Sequence, residues 1–94
     1  MSKEQIVDID AHALLRTIER GIQFGLSYEE TRRRIYETVR QKRCARRKHC
    51  SRIGKTYYRY YADNLSFYVM CREKETENYI KIVIKTIIIE RGRE

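Results

Sequence analysis

The chain has 94 residues and a formal net charge of +8, with 41% apolar and 36% charged residues. This length suits one domain with one modest core, so residues 1–94 are predicted to form a single domain. No apolar run approaches the roughly 20 residues of a membrane span, residues 1–5 form no hydrophobic signal core, and three cysteines do not suggest a secreted disulfide framework. We therefore expect a cytoplasmic protein. Few amide side chains and abundant Ile, Glu, Arg and Lys are typical of thermophile proteins.

The first predicted element is a helix that begins at Asp8 or Asp10 and ends at Gly21 or Gly25. A carboxylate at the start accepts hydrogen bonds from the N–H groups of the first turn, and glycine is common just past a helix end. Apolar residues recur with helical spacing at Leu14, Leu15, Ile18 and Ile22.

The second helix is the best marked element. Ser27 is followed three residues later by Glu30, which is the pattern of a capping box. The helix is predicted to run to about Gln41, with four residues facing inward: Tyr28, Thr31, Ile35 and Val39. Three arginines should then point to solvent: Arg32, Arg33 and Arg40.

The connection of residues 42–55 is basic, lacks a clear period and is predicted to be a loop. It belongs to a longer basic segment, Arg32 to Arg59, in which twelve Lys or Arg face only Glu37 and the net charge is +11. The rest of the chain holds nine basic and twelve acidic residues, a net −3. One third of the chain therefore carries the whole positive surplus.

The C-terminal half predicts three antiparallel strands joined by short turns. Residues 56–61 are rich in aromatics, Asp63-Asn64 is a turn signal, residues 65–72 alternate, and residues 73–78 form a second turn. Ile80, Ile82 and Ile84 mark the inner face of the third strand, whose alternation breaks at Thr86 and predicts a bulge. A fourth short strand is predicted near Arg52 or Ile89.

These elements predict an α+β fold, with two N-terminal helices packed on one face of a three- to four-stranded antiparallel sheet. The other sheet face should carry aromatic and basic side chains. The charge asymmetry is that expected of a protein that contacts phosphate backbones, and the alternative is a solvated basic face. The candidate nucleic-acid contacts are Arg32, Arg33, Arg40, Lys42, Arg43, Arg46, Arg47, Lys48, Arg52, Lys55, Tyr61 and Lys85.

A run near the N-terminus resembles a known family. His12-Ala13, Arg16 and Glu19-Arg20-Gly21-Ile22, followed by a capped helix and strands, resemble the small BrnT-like relatives of the RelE/ParE toxin superfamily. These belong to the barnase, EndoU, colicin and RelE group of ribonuclease folds. The resemblance implies a helical pair on an antiparallel sheet, RNA cleavage or inhibition of translation, and an antitoxin-like protein partner. It also implies that catalysis uses Arg, Lys and Tyr side chains.

The candidate catalytic residues are His12, Tyr57, Arg59 and Lys81. His12 shares a helix face with Arg16 and Arg20 and could act as acid or base on a ribose hydroxyl, or could simply pack or cap against the sheet. Strand alternation places Tyr57, Arg59 and Tyr61 on one face, where tyrosines can stack on unpaired bases and cations can hold phosphate. The alternative is that the tyrosines fill the core or a dimer interface.

The cysteines give a weak metal signal. Cys44, His49 and Cys50 lack the usual Cys-x-x-Cys spacing and a fourth ligand, so neither a metal nor another cofactor is expected, and a Cys44–Cys50 disulfide is left open.

The sequence favours an RNA-binding protein that acts as a metal-independent endoribonuclease. Its alternatives are a non-enzymatic nucleic-acid-binding module and an interaction protein paired with an antitoxin. RNA or another nucleic acid, an antitoxin-like protein and a second copy of the chain are the expected partners, and a membrane is not.

Overall fold

A computed structural model describes residues 3–45 and 56–93 of the chain. Its elements, in chain order, are β1 (Glu4–Ile9), α1 (Ala11–Gln23), α2 (Tyr28–Gln41), β2 (Thr56–Ala62), β3 (Leu65–Glu75) and β4 (Tyr79–Arg91). The two helices pack on a four-stranded sheet, so the predicted α+β class is confirmed. No helix among the described residues is both long enough and apolar enough to span a membrane.

The sheet is mixed, and its strand order is β1-β4-β3-β2. The last three strands form the predicted antiparallel meander. The first strand was not predicted: it pairs with β4 in parallel, from Glu4 opposite Tyr79 to Ile9 opposite Ile84. The wholly antiparallel sheet was therefore wrong. The expectation of a separate strand near Ile89 was also wrong, because Ile89 lies within β4, and Arg52 is outside the described residues.

A bulge in β4 explains the break in its apolar pattern. Met70 of β3 lies opposite Thr86, but the next residue, Cys71, lies opposite Ile84, so Lys85 is the extra residue. An extra residue reverses the faces of a strand that alternates with period two. The buried positions accordingly shift from even to odd numbers, as Ile82, Ile84, Ile87 and Ile89. The predicted bulge at the Thr86 break is confirmed, one residue earlier.

The first helix begins at Asp10, whose side chain accepts a hydrogen bond from the N–H of His12, while the other candidate cap, Asp8, lies within β1. The residues that α1 buries fully are small: Ala13, Thr17 and Gly21. A Cβ at Gly21 would lie 2.1 Å from Thr31 Oγ1 of α2, so the helices meet at a distance that only glycine permits. Two residues of the predicted apolar face, Leu15 and Ile22, are exposed instead.

The second helix follows its sequence signals closely. The Ser27 side chain accepts a hydrogen bond from the Glu30 N–H, and the helix ends after Gln41 at Lys42, which has a left-handed backbone with φ 51°. Three of the four residues expected to face inward are buried, and Tyr28 is the exception. Arg34, which counts toward the charge of the basic segment, is also buried.

Arg34 joins α2 to the turn between β2 and β3. Its guanidinium donates to the carboxylate of Asp63 and, at 3.4 Å, to the carbonyl of Ala62, and it lies 5.6 Å above the ring of Phe67. Asp63 and Asn64 both have positive φ, 52° and 62°, as a two-residue hairpin turn requires. The turn predicted there is confirmed.

Candidate nucleic-acid interface

The chain that leaves α2 returns along the outer edge of β2. The N–H of Arg59 donates to the carbonyl of Arg43 at 2.7 Å, and the N–H of Ala45 donates to the carbonyl of Tyr57 at 2.9 Å. Cys44 forms an antiparallel bridge with Tyr58 between these two bonds. The left-handed residue at the end of α2 turns the chain into this position, and the pairing holds Arg43 beside Arg59.

A third arginine reaches the same place from the end of β4. Gly92, with φ 87°, donates its N–H to the carbonyl of Asn64 at 2.8 Å and accepts a hydrogen bond from the hydroxyl of Ser66. This turn places the guanidinium of Arg93 above the ring of Tyr61, 5.5 Å from its centroid. Arg93 is exposed and was not among the residues that the sequence suggested.

The three arginines line a surface hollow of about 260 Å³, together with Gln41, Tyr60 and Tyr61. No carboxylate is among the described residues that line it. We call this hollow, lined by Gln41, Arg43, Arg59, Tyr60, Tyr61 and Arg93, the β2-edge site. Three guanidinium groups around one concavity form a strong attraction for phosphate, because each offers several N–H donors in a planar fork.

A second hollow of about 200 Å³ lies next to the β2-edge site and shares Tyr60 with it. It is also lined by arginines, but Glu37 and Asp63 accompany them. The carboxylate of Glu37 accepts hydrogen bonds from Arg40 and Gln41, which lower the pKa of Glu37 to about 2. Hydrogen bonds from Arg34 and then Arg33 likewise lower the pKa of Glu30. The charge of the second hollow is therefore largely compensated within the protein.

The tyrosines divide into two groups. Tyr58 and Tyr68 are buried, and burial together with a hydrogen bond to Glu73 raises the pKa of Tyr58. Tyr61 is 37% exposed. The half-buried ring of Tyr60 lies 6.4 Å from that of Phe67. Tyr57 lies on the same sheet face as Tyr61, as the alternation predicted. The core interpretation therefore holds for part of the set, and the β2-edge site contains one exposed and one half-buried ring.

The four candidate catalytic residues do not meet. Tyr57 and Arg59 lie on β2, whereas Lys81 lies on β4 beside Lys74 and Ile6. Ile88 is the β4 residue in line with Arg59, and Lys81 is seven positions away from it, or roughly 20 Å at the rise of a strand. His12 lines a different groove, with Arg16, Arg20 and Lys85. The predicted grouping of His12 with the two arginines is confirmed, but its joint action with Arg59 and Lys81 does not fit the structure.

The remaining candidate contacts vary in availability. Arg32, Arg33 and Arg40 are exposed as predicted. Arg33 and Arg40 are paired with Glu30 and Glu37, and the guanidinium of Arg32 lies 5.1 Å from the centre of the Tyr36 ring. Lys42 lies 3.9 Å from Glu73, and Lys85 lies 3.1 Å from Asp10. Five further candidates lie outside the described residues: Arg46, Arg47, Lys48, Arg52 and Lys55.

The described cysteines are chemically unlike each other. Cys44 is a free, exposed thiol, whereas Cys71 is buried. Burial, with a smaller effect of the nearby Glu73 carboxylate, raises the pKa of Cys71 to about 12. Within residues 3–45 and 56–93 no three metal-ligating side chains come together, and His49 and Cys50 lie outside these ranges.

Comparison of the chain with protein-family models, with curated proteins and with solved structures gave no match.

Proposed function

We propose that this protein binds RNA at the β2-edge site, and that it holds unpaired nucleotides there rather than a regular duplex. One observation carries the proposal: Arg43, Arg59 and Arg93 come from three separate parts of the chain and line one hollow without a carboxylate among its described residues. A merely solvated basic surface gives no reason for such convergence. Arg93 lies outside the basic segment but lines the β2-edge site, so this site is more positive than the basic segment alone predicts.

The aromatic rings favour unpaired RNA. Tyr61 is exposed, and Arg93 above its ring adds a cation to an aromatic surface. Base stacking on aromatic side chains contributes about 1–3 kcal/mol per base and needs bases that are not paired in a duplex. The guanidinium groups would meanwhile contact the phosphates on either side of the stacked base.

Binding is better supported than cleavage, because the residues proposed as acid, base and charge stabiliser are distributed over three places. His12 lies in the groove beside α1, Arg59 lies on β2 and Lys81 lies toward the other end of the sheet. A metal-independent ribonuclease needs these groups around one phosphate. We therefore propose a non-enzymatic RNA-binding module.

The test compares two double variants that remove equal charge. Arg43→Ala with Arg93→Ala changes the β2-edge site, and Arg72→Ala with Lys81→Ala removes two exposed cations from the distant part of the sheet. Fluorescence anisotropy with a single-stranded RNA at several salt concentrations measures affinity and its salt slope. Each lost phosphate contact lowers that slope by about 0.7 for a single strand, so we expect a fall of about 1.4 for the first variant and little change for the second. Equal losses in both variants would show that only net charge matters.

Two further measurements separate stacking and cleavage. Tyr61→Ala should weaken binding by about 1–3 kcal/mol, whereas Tyr61→Phe should bind as the wild type does. RNA incubated with the protein in EDTA should remain intact. The appearance of 2′,3′-cyclic phosphate ends, together with resistance of a substrate that is 2′-deoxy at the cut position, would replace the binding module by a metal-independent endoribonuclease.

A further inference from the structure

The C-terminal half of β4 has a partner on only one side among the described residues. β1 pairs with β4 from Tyr79 to Ile84, and the last hydrogen bond on that side runs from the Asp10 N–H to the Ile84 carbonyl at 3.0 Å. β4 then continues to Arg91, paired with β3 alone. Residues 86–89 therefore form an open strand edge, on the side of β4 where β1 has ended and the chain has turned into α1. Such an edge can accept a further strand.

The first helix runs beside this edge along its length. It starts where Asp10 meets Ile84, and just past its end the ring of Phe24 lies 5.3 Å from the guanidinium carbon of Arg91. The flank of α1 that carries His12, Arg16 and Arg20 faces the edge. These three residues and Lys85, Thr86 and Ile87 enclose a groove of about 220 Å³, which we call the β4-edge groove.

The groove is strongly basic. Arg16, Arg20 and Lys85 contribute three cations and His12 a further polar ring, and no carboxylate is among the described residues that line the groove. Beside it, Lys85 pairs with Asp10. A hydrogen bond from Lys85 lowers the pKa of Asp10, so this carboxylate is charged and already satisfied. An incoming chain that complements the groove must therefore carry negative charge.

The helix also exposes two aliphatic side chains, but neither lines the groove. Leu15 and Ile22 are 56% and 67% exposed. The feature that favours a polypeptide over a nucleic acid as the partner is the open edge of residues 86–89, because its main-chain N–H and C=O groups pair with those of another strand.

We propose that the β4-edge groove binds an acidic, extended peptide segment of another protein, which adds to the sheet as a strand beside residues 86–89. The main chain of the peptide would hydrogen-bond to the β4 edge, and its acidic side chains on one face would meet Arg16 and Arg20. The groove is separate from the β2-edge site, with β3 between their two strands, so this inference does not depend on RNA binding.

The probe is a fluorescein-labelled peptide that alternates Glu and Val, measured by anisotropy with the wild-type protein. Its matched control has the same sequence with backbone N-methyl groups, which keep the charge but prevent strand pairing. We expect the first peptide to bind and the N-methylated one to lose at least about tenfold in affinity, since main-chain hydrogen bonds carry this mode of recognition. Equal binding of both peptides, or no binding of the first, would overturn strand addition.

Two variants locate the site. Arg16→Glu with Arg20→Glu should lower peptide affinity by at least about tenfold. Arg72→Glu with Lys74→Glu makes the same charge change at exposed β3 positions that do not line the groove, and should leave the affinity within about twofold because salt screens such surface charges. Circular dichroism checks that both fold, and the N-methyl comparison uses wild-type protein alone. If the first variant instead loses RNA binding and the peptide fails to bind the wild type, the groove belongs to the RNA surface and the proposal is wrong.

Discussion

Replacing Arg34 by Ala should destabilise the protein far more than replacing its neighbour Arg33. Both belong to α2, both pair with Glu30, and both count equally in the charge of the basic segment. The side chain of Arg34 is only 9% exposed, whereas that of Arg33 is 72% exposed. The pair therefore separates a structural arginine from a solvated one within a single turn of helix.

The magnitude follows from what each side chain contacts. Arg34→Ala removes the two buried methylenes at Cγ and Cδ, which contribute about 1.6 kcal/mol at about 0.8 kcal/mol each. Its partner Asp63 is 76% exposed, so their ion pair adds no more than about 1 kcal/mol. Arg34→Ala should thus lower the free energy of unfolding by about 2.5 kcal/mol and the Tm by roughly 10–20 °C for a domain of this size. Arg33→Ala should cost less than about 0.5 kcal/mol, as exposed helix pairs do.

Urea unfolding followed by circular dichroism measures both variants under the same conditions. A difference between them below about 1 kcal/mol would refute the assignment of Arg34 to the joint between α2 and the β2–β3 turn, since that is within the range of ordinary surface changes. RNA affinity adds a second readout. At a temperature where Arg34→Ala is folded, it should bind RNA as the wild type does, because its guanidinium is held inside the protein.

Three further predictions concern α2 and its neighbour. Glu37 has a pKa lowered from 4.5 to about 2, so its contribution to stability is present above pH 4.5 and disappears as the pH falls to 2. The Tm difference between wild type and Glu37→Gln should therefore narrow over that range, and a constant difference would contradict this role of Glu37. Lys42→Gly should raise the free energy of unfolding by about 1 kcal/mol, because glycine tolerates the left-handed backbone. Lys42→Ala should not raise it, and thermal melts compare the two variants. Gly21→Ala should destabilise by about 1–3 kcal/mol through its clash with Thr31, despite the higher helix propensity of alanine; a rise in Tm would disprove the close helix contact.

The features that the sequence predicted well depend on residues close together in the chain. The cap at Ser27, the turn at Asp63 and Asn64, and the alternation of the last strands are local signals, and the structure confirms them. Even the bulge in β4 was visible, because one extra residue changes which side chains are apolar.

The first strand was missed because its partner is remote. β1 pairs in parallel with β4, so no hairpin turn next to it in the sequence indicates a strand. Its two inward residues, Val7 and Ile9, are too few to establish an alternating apolar pattern. The buried face of α1 was misassigned for another reason. The close approach of the helices selects small residues such as Gly21 and Thr17 at the contact, and a search for large apolar side chains passes over them.

The sequence predicted some residues of the β2-edge site and missed others. Arg43, Arg59 and Tyr61 stood in or beside the basic segment and were named for their charge or strand position. Arg93 was not, because the count of charges by segment placed it in the part of the chain with net negative charge. Only the return of β4 to the β2–β3 turn brings Arg93 to Tyr61.

The parallel pairing of β1 with β4 also determines when this protein can finish folding. Asp10 and Lys85, which meet at the end of that pairing, are 75 residues apart in the chain. During synthesis the helices and the β2–β3 hairpin can form early, since their contacts are local. Val7 and Ile9 have no strand to pack beside until the ribosome has made residues 79–84. A nascent chain halted before that point keeps its first strand without its partner strand.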